Sequence, residues 1–223
     1  MRRAAVGIAF WLAAASPAMA GDQPAACGDL PALTLEVEVT VDPGGEPEVR
    51  AVPAEEIRRR AAEMGRGADP PDRVTRGLTT VEIRVETGYT LARTEHADGT
   101  ACVALKAARA ELANRGVAVL IDRRYAEGSC ERGAILAHEL EHVAINAEAV
   151  RAGERPLRER LGAAIRRWRG RWVPEERQAA IGDALQGAAS AALAEVRGSA
   201  AARHARIDTP RAYARTQRRC RGW

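Results

Sequence analysis

The sequence predicts an α+β fold, a small antiparallel meander sheet packed on a helix, followed by a helical C-terminal half. Three observations predict it. Apolar residues alternate with period two in "LTLEVEVTVD" and again after Thr79. Turn signals stand between those runs at Asp98-Gly99 and Asn114-Arg115-Gly116. After Tyr125 the apolar spacing changes to three and four residues, the period of helices. Strand-rich and helix-rich segments in series belong to the α+β class.

The elements follow in order. Leu33, Leu35, Val37, Val39 and Val41 form one face of a strand that "DPGGEP" ends. "PAEEIRRRAAEMG" is a short helix with Pro53 at its start, acids in its first turn and Gly65 as its stop. Three strands are expected from "TTVEIRVETGYTLART", "TACVALKAARAEL" and "GVAVLIDRRY", although the Ala-rich half of the second also suits a helix. A helix is expected over about Ser129–Arg151, stopped by Gly153, and a second from Pro156 with Leu157, Leu161, Ile165, Trp168 and Trp172 in its stripe. A third starts at Pro174 and buries Ile181, Leu185, Ala188, Ala192 and Val196. "DTPRAYARTQRRC" is a last short helix, capped by Asp208 or Thr209 with Pro210 at its first position.

Residues 1–20 are expected to be a signal peptide. Arg2 and Arg3 precede the apolar run Val6–Ala15, and Ala18-Met19-Ala20 is a small-x-small cleavage site. Residues 21–223 then form a single domain, with its sheet part over about 30–125 and its helical part over about 128–223. No stable membrane insertion is expected after cleavage, since no later stretch approaches about 18 apolar residues. Export to the periplasm or beyond suits the even set Cys27, Cys102, Cys130 and Cys220, read as two disulfides. Of three possible pairings we favour Cys27–Cys102 and Cys130–Cys220. The formal net charge is +4, and loss of Arg2 and Arg3 lowers it to +2. With so small an excess, and no aromatic residues interleaved in the basic tail, nucleic acid is not expected as a partner. The oligomeric state is not legible.

The chemistry lies in His138-Glu139-Leu140-Glu141-His142. Four residues of helix turn through about 400°, so the two imidazoles project from nearly the same face one turn apart. That spacing lets them hold one zinc ion, with Glu139 beside the metal as a carboxylate able to take a proton from an activated water. Asn146 is one turn further along the same face, placed to orient a ligand or to serve as a plain helix residue. Tyr213 is expected to pack the last helix, or to donate a hydrogen bond to an oxyanion.

The motif in this setting resembles the zincin metallopeptidases, and "GSCERGAILAHELEHVAIN" resembles predicted secreted zinc-dependent proteases of bacteria. The resemblance implies a zinc-dependent peptidase with His138 and His142 as metal ligands, Glu139 as general base and Zn2+ as cofactor. It implies a peptide, protein or peptidoglycan-peptide substrate, and an edge strand that pairs with it, here "GVAVLIDRRY" or its neighbour. Two features depart from the pattern. Glu141 puts a charge where zincins usually have none, read here as a helix-face carboxylate paired with an arginine. Ile145 and Glu148 occupy the positions of the metzincin glycine and third histidine, which excludes that branch. The third ligand stays open among His204, Glu159, Glu176, Glu195 and His96. The alternative is a non-catalytic periplasmic binding or envelope-interaction protein on a degenerate scaffold of the same type.

Overall fold

A computed structural model describes residues 27–65 and 75–221. The expected leader lies outside the described residues. The fold is a mixed α+β arrangement with a five-stranded sheet and four α-helices among the described residues.

The sheet is built on one strand. β4, Ala101–Asp122, is continuous where two strands and a turn were expected. Its Asn114-Arg115-Gly116 segment is a bulge rather than a hairpin. Gly116 takes φ +61°, and two residues of β4 stand against one of its neighbour, where the pairing steps from Glu82–Arg115 to Thr80–Ala118. A positive-φ glycine serves either purpose, and the apolar run on each side decides for a bulge. The Ala-rich half of β4 is strand: Ala108, Ala110 and Leu112 lie on one face and are buried.

β3, Gly77–Glu95, pairs antiparallel with β4 along nearly its whole length through the expected Asp98-Gly99 turn. The other edge of β4 is shared end to end by three short strands. β5, Trp172–Pro174, pairs antiparallel with Cys102–Ala104. β1, Glu36–Asp42, and β2, Glu48–Val52, pair parallel with Ala107–Ala113 and Ala118–Asp122. β2 and β5 were not expected. "DPGGEP" does not end the first strand for good: the chain resumes in the same direction along β4, one residue out of step. The sheet is therefore mixed, not an antiparallel meander. Val117–Asp122, offered as an edge, is interior, and β3 is one edge, paired with no strand but β4 among the described residues.

Short helix α1, Ala54–Glu63, covers one face at the β2 end, where Ile57 and Ala61 pack on Val52, Leu78 and Leu120. The opposite face carries the two long helices. α2, Cys130–Ile165, starts at Ser129, whose Oγ accepts from Arg132 N. It runs on for about 54 Å, straight through Gly153 and Pro156, where a break was expected. The reason is an unbroken row at four-residue spacing, Ile145, Ala149, Gly153, Leu157, Leu161 and Ile165, all buried. Burying that row outweighs the roughly 3 kcal/mol that an interior proline costs a helix. Gly153 is a contact, not a stop: a Cβ there would lie 2.5 Å from Leu112 Cδ2 and from Val196 Cγ2.

α3, Gln178–Ile207, follows a 3-10 turn at Glu175–Arg177 and buries Ile181, Leu185, Ala189, Ala192, Val196 and Ala200. It runs antiparallel to α2, since Arg160 meets Glu195 near one end and His142 meets His204 near the other. Trp168 is buried in the core as expected. Trp172 leaves the helical stripe and joins β5, its Nε1 donating to Pro31 O at 2.8 Å. α4, Pro210–Gln217, is capped by Thr209, whose Oγ1 accepts from Ala212 N. Both disulfides are those favoured above, Cys27–Cys102 and Cys130–Cys220.

Gly153→Ala is a test of this packing. On propensity alone alanine would stabilise the helix by about 1 kcal/mol. Crowding against two neighbouring elements costs about 1–3 kcal/mol. A net loss of stability in urea unfolding is expected, and a more stable variant would show that α2 has room to move off the sheet.

Candidate metal centre

Beside that row on α2 runs a second, one position on, that turns polar toward the N-terminus. His138, His142 and Asn146 lead into Val150 at four-residue spacing, and all four are buried, with Glu139 beside the histidines. Buried polar groups need partners, and α3 supplies them. Val196, Ala200, His204 and Asp208 recur at intervals of four, so the face that buries Val196 also brings His204 and Asp208 to α2. Asp208 stands at the end of α3, its N–H donating to His204 O at 2.9 Å, just before Thr209 caps α4. The tight passage between two helices fixes its direction.

Three atoms converge. His138 Nε2 lies 3.2 Å from Asp208 Oδ1, His142 Nε2 lies 3.0 Å from the same oxygen, and the two nitrogens are 3.3 Å apart. Bonds of 2.0–2.1 Å to a tetrahedral zinc imply ligand–ligand separations of about 3.3–3.4 Å. The three atoms are therefore spaced as one face of such a tetrahedron. The donor set, two imidazoles and a carboxylate, is that of a three-ligand site with a fourth position open. Asp208 keeps 24% of its side chain exposed against 9% and 2% for His138 and His142, so the site opens on the Asp208 side.

The electrostatics are those of a half-buried carboxylate set among imidazoles. Burial opposes ionisation of Asp208, yet its contacts with His138, His142 and Tyr213 win and hold the carboxyl far below its ordinary range. Burial likewise pulls His138 down, but the Asp208 hydrogen bond and the charges of Glu139, Asp208 and Glu141 raise it on balance. The C-terminal end of α3 adds its partial negative charge. Tyr213 OH donates to Asp208 Oδ1 at 3.0 Å, and its ring centroid lies 5.2 Å from that of His138. Tyr213 is otherwise exposed rather than packed in a core, so its contacts are with the site.

Glu139 faces the start of β3. Thr79 Oγ1 lies 2.9 Å from both Glu139 O and Oε2, able to give its one proton to either. Gly77 allows the approach: a Cβ there would sit 2.7 Å from Glu139 Oε1 and 2.6 Å from Ile135 Cγ2.

None of the expected third ligands takes the place that Asp208 occupies. Glu159 pairs with Arg155 and Glu195 with Arg160 on exposed surface, and Glu176 is exposed in the turn before α3. His96 sits in the β3–β4 turn with Nε2 3.3 Å from Cys102 Sγ. His204 does reach the site, but behind it, with Nδ1 2.7 Å from His142 Nδ1. Asp208 had been read as a helix cap. Its signal was the continued spacing of α3, which places it one turn past His204 on the inward face. Glu141 is exposed, as expected of a helix-face carboxylate, but makes no ion pair among the described residues.

Compared with known proteins, the chain matches no family model, no curated protein and no solved structure.

The Cys130–Cys220 disulfide links the first residue of α2 to the segment after α4, so it holds Tyr213 and Asp208 against the histidines. Its residues are 90 apart in sequence. Replacing both cysteines by serine should cost about 2–5 kcal/mol of stability, read as a lower denaturation midpoint in urea. An unchanged midpoint would mean that α4 stays docked without the bond.

Proposed function

We propose that the chain is an exported zinc-dependent metallopeptidase of zincin type, with His138, His142 and Asp208 as metal ligands and Glu139 as general base. The carrying observation is the mutual spacing of 3.0–3.3 Å among the three ligand atoms. Two disulfides support an oxidising compartment outside the cytoplasm, and no described helix is long and apolar enough to cross a membrane. A signal peptide cleaved after Ala20 belongs to the same proposal.

Zinc, when bound, supplies Lewis acidity that polarises a scissile carbonyl and acidifies water. The residues do the rest. Glu139 takes the proton of the attacking water and returns it to the leaving amine. Thr79 and Gly77 keep its carboxylate in one place, so its orientation costs little at the moment of reaction. Tyr213 holds Asp208 Oδ1 by hydrogen bond. β3, which pairs with no strand but β4 among the described residues, packs its face on Glu139 at Gly77 and Thr79, and its outer edge there suits an extended peptide laid along it as an added strand. Further along that edge Arg197 Nη2 donates to Ile83 O at 2.6 Å and closes it.

One observation favours the rival reading of a non-catalytic binding protein. Glu139 is 5% exposed with Thr79 already in reach of Oε2. Mutants separate the two. Glu139→Gln should keep stoichiometric zinc and lose about 10²–10⁴-fold in hydrolysis of a peptide library. Retained hydrolysis would remove Glu139 as base, and none in the wild type would favour the rival. His142→Ala and Asp208→Ala should each lose zinc on elemental analysis, and full retention would sink the ligand assignment. Gly77→Ala displaces the Glu139 carboxylate without touching a ligand, so hydrolysis should fall while zinc stays.

A further inference from the structure

Behind His142 lies a chain of hydrogen bonds with a direction. Asn146 Nδ2 donates to His142 O at 3.0 Å, one turn back on α2. A carbonyl oxygen only accepts, so that contact fixes which end of the amide is nitrogen. Asn146 Oδ1 is then the atom 3.0 Å from His204 Nε2. This oxygen also only accepts, so His204 Nε2 carries the proton. A neutral imidazole protonated at Nε2 has its lone pair on Nδ1, and that atom lies 2.7 Å from His142 Nδ1. His142 must therefore donate from Nδ1. Its own lone pair is left on Nε2, the nitrogen turned toward His138 Nε2 and Asp208 Oδ1.

We propose that His204 is a positioning residue: with Asn146 it holds His142 in the Nδ1–H tautomer and so presents the Nε2 lone pair to a divalent cation. This rests on the metal reading above and deepens it. Both nitrogens of His204 are engaged in the relay, which explains why a histidine so near the site is not a ligand. The relay begins and ends on α2 and crosses to α3 between. Tautomer, ring direction and helix pairing are thus set together. The ring centroids of His142 and His204 are 4.8 Å apart, close enough that removing one leaves the other without its partner. Hydrogen-bond partners of this kind behind a metal ligand typically contribute about 10–100-fold in metal affinity.

The test uses the full chain and zinc alone. His204→Phe keeps a ring and removes both nitrogens. His204→Gln restores an acceptor, Oε1, within reach of His142 Nδ1. Zinc titration should show the dissociation constant raised about 10–100-fold in His204→Phe and largely recovered in His204→Gln. Circular dichroism and melting control for folding. Long-range proton–nitrogen NMR on the zinc-free wild type should place the His142 proton on Nδ1, a readout that a merely structural His204 would not determine. A proton on Nε2, or equal zinc affinity in wild type and His204→Phe, would overturn the inference, as would His204→Gln binding no better than His204→Phe. A wild type that binds no zinc would instead overturn the metal reading, while the tautomer measurement still tests the relay. Should His204→Phe fail to fold, His204→Gln against wild type and the same spectrum decide the matter.

Discussion

The antiparallel packing of α2 on α3 is the constraint on which everything else depends. Each helix offers one face at four-residue spacing, and the two faces meet over the sheet. In the middle the contact is close enough that Gly153 has no room for a side chain between Leu112 and Val196. That closeness sets the distance between the helices three to four turns away, where His138 and His142 meet His204 and Asp208. Ala149 on α2 and Ala200 on α3 are the small buried residues along the way. A polar network needs hydrogen-bond lengths near 3 Å, and only a firmly packed pair of helices holds them.

The same rows explain which parts of the fold are legible in the sequence. Period two marked β1, β3 and the first half of β4, a continuous apolar run from Val117 to Ile121 marked its second half, and helical spacing marked α2 and α3. Where the sequence misleads, one residue type serves two geometries. Gly116 reads as a turn and is a bulge. Gly153 and Pro156 read as a helix break, yet the row from Ile145 to Ile165 runs through them without a change of phase. β2 and β5 are short and lean on β4 for their pairing, so no local pattern could announce them.

For the site, the pair at His138 and His142 with Glu139 between is a local pattern, set by the pitch of one helix. The third group is not local: Asp208 lies 66 residues from His142 and reaches it through the fold. Its sequence neighbourhood, Asp208-Thr209-Pro210, speaks of a helix start, and Thr209 does take the cap. The cap reading hid a carboxylate whose side chain was free for another purpose. Phase would have shown it, because Val196, Ala200, His204 and Asp208 extend the buried face of α3 past the last apolar residue.

A polar row continued from an apolar one is costly unless every member is satisfied. Asn146, His204 and the Nδ1 of His142 satisfy one another. The opposite side of His142 is different in kind. With its proton on Nδ1, Nε2 is an acceptor 3.0 Å from a carboxylate oxygen of Asp208. Two acceptors at that distance repel, and a second nitrogen, His138 Nε2, approaches within 3.3 Å. Tyr213 OH donates to the same Asp208 Oδ1. Two helices, a cap and a disulfide bring three ligand-type atoms this close, which is the convergence the proposed metal ion would occupy. That convergence, rather than the resemblance of the motif, is the stronger support for the metal reading proposed above.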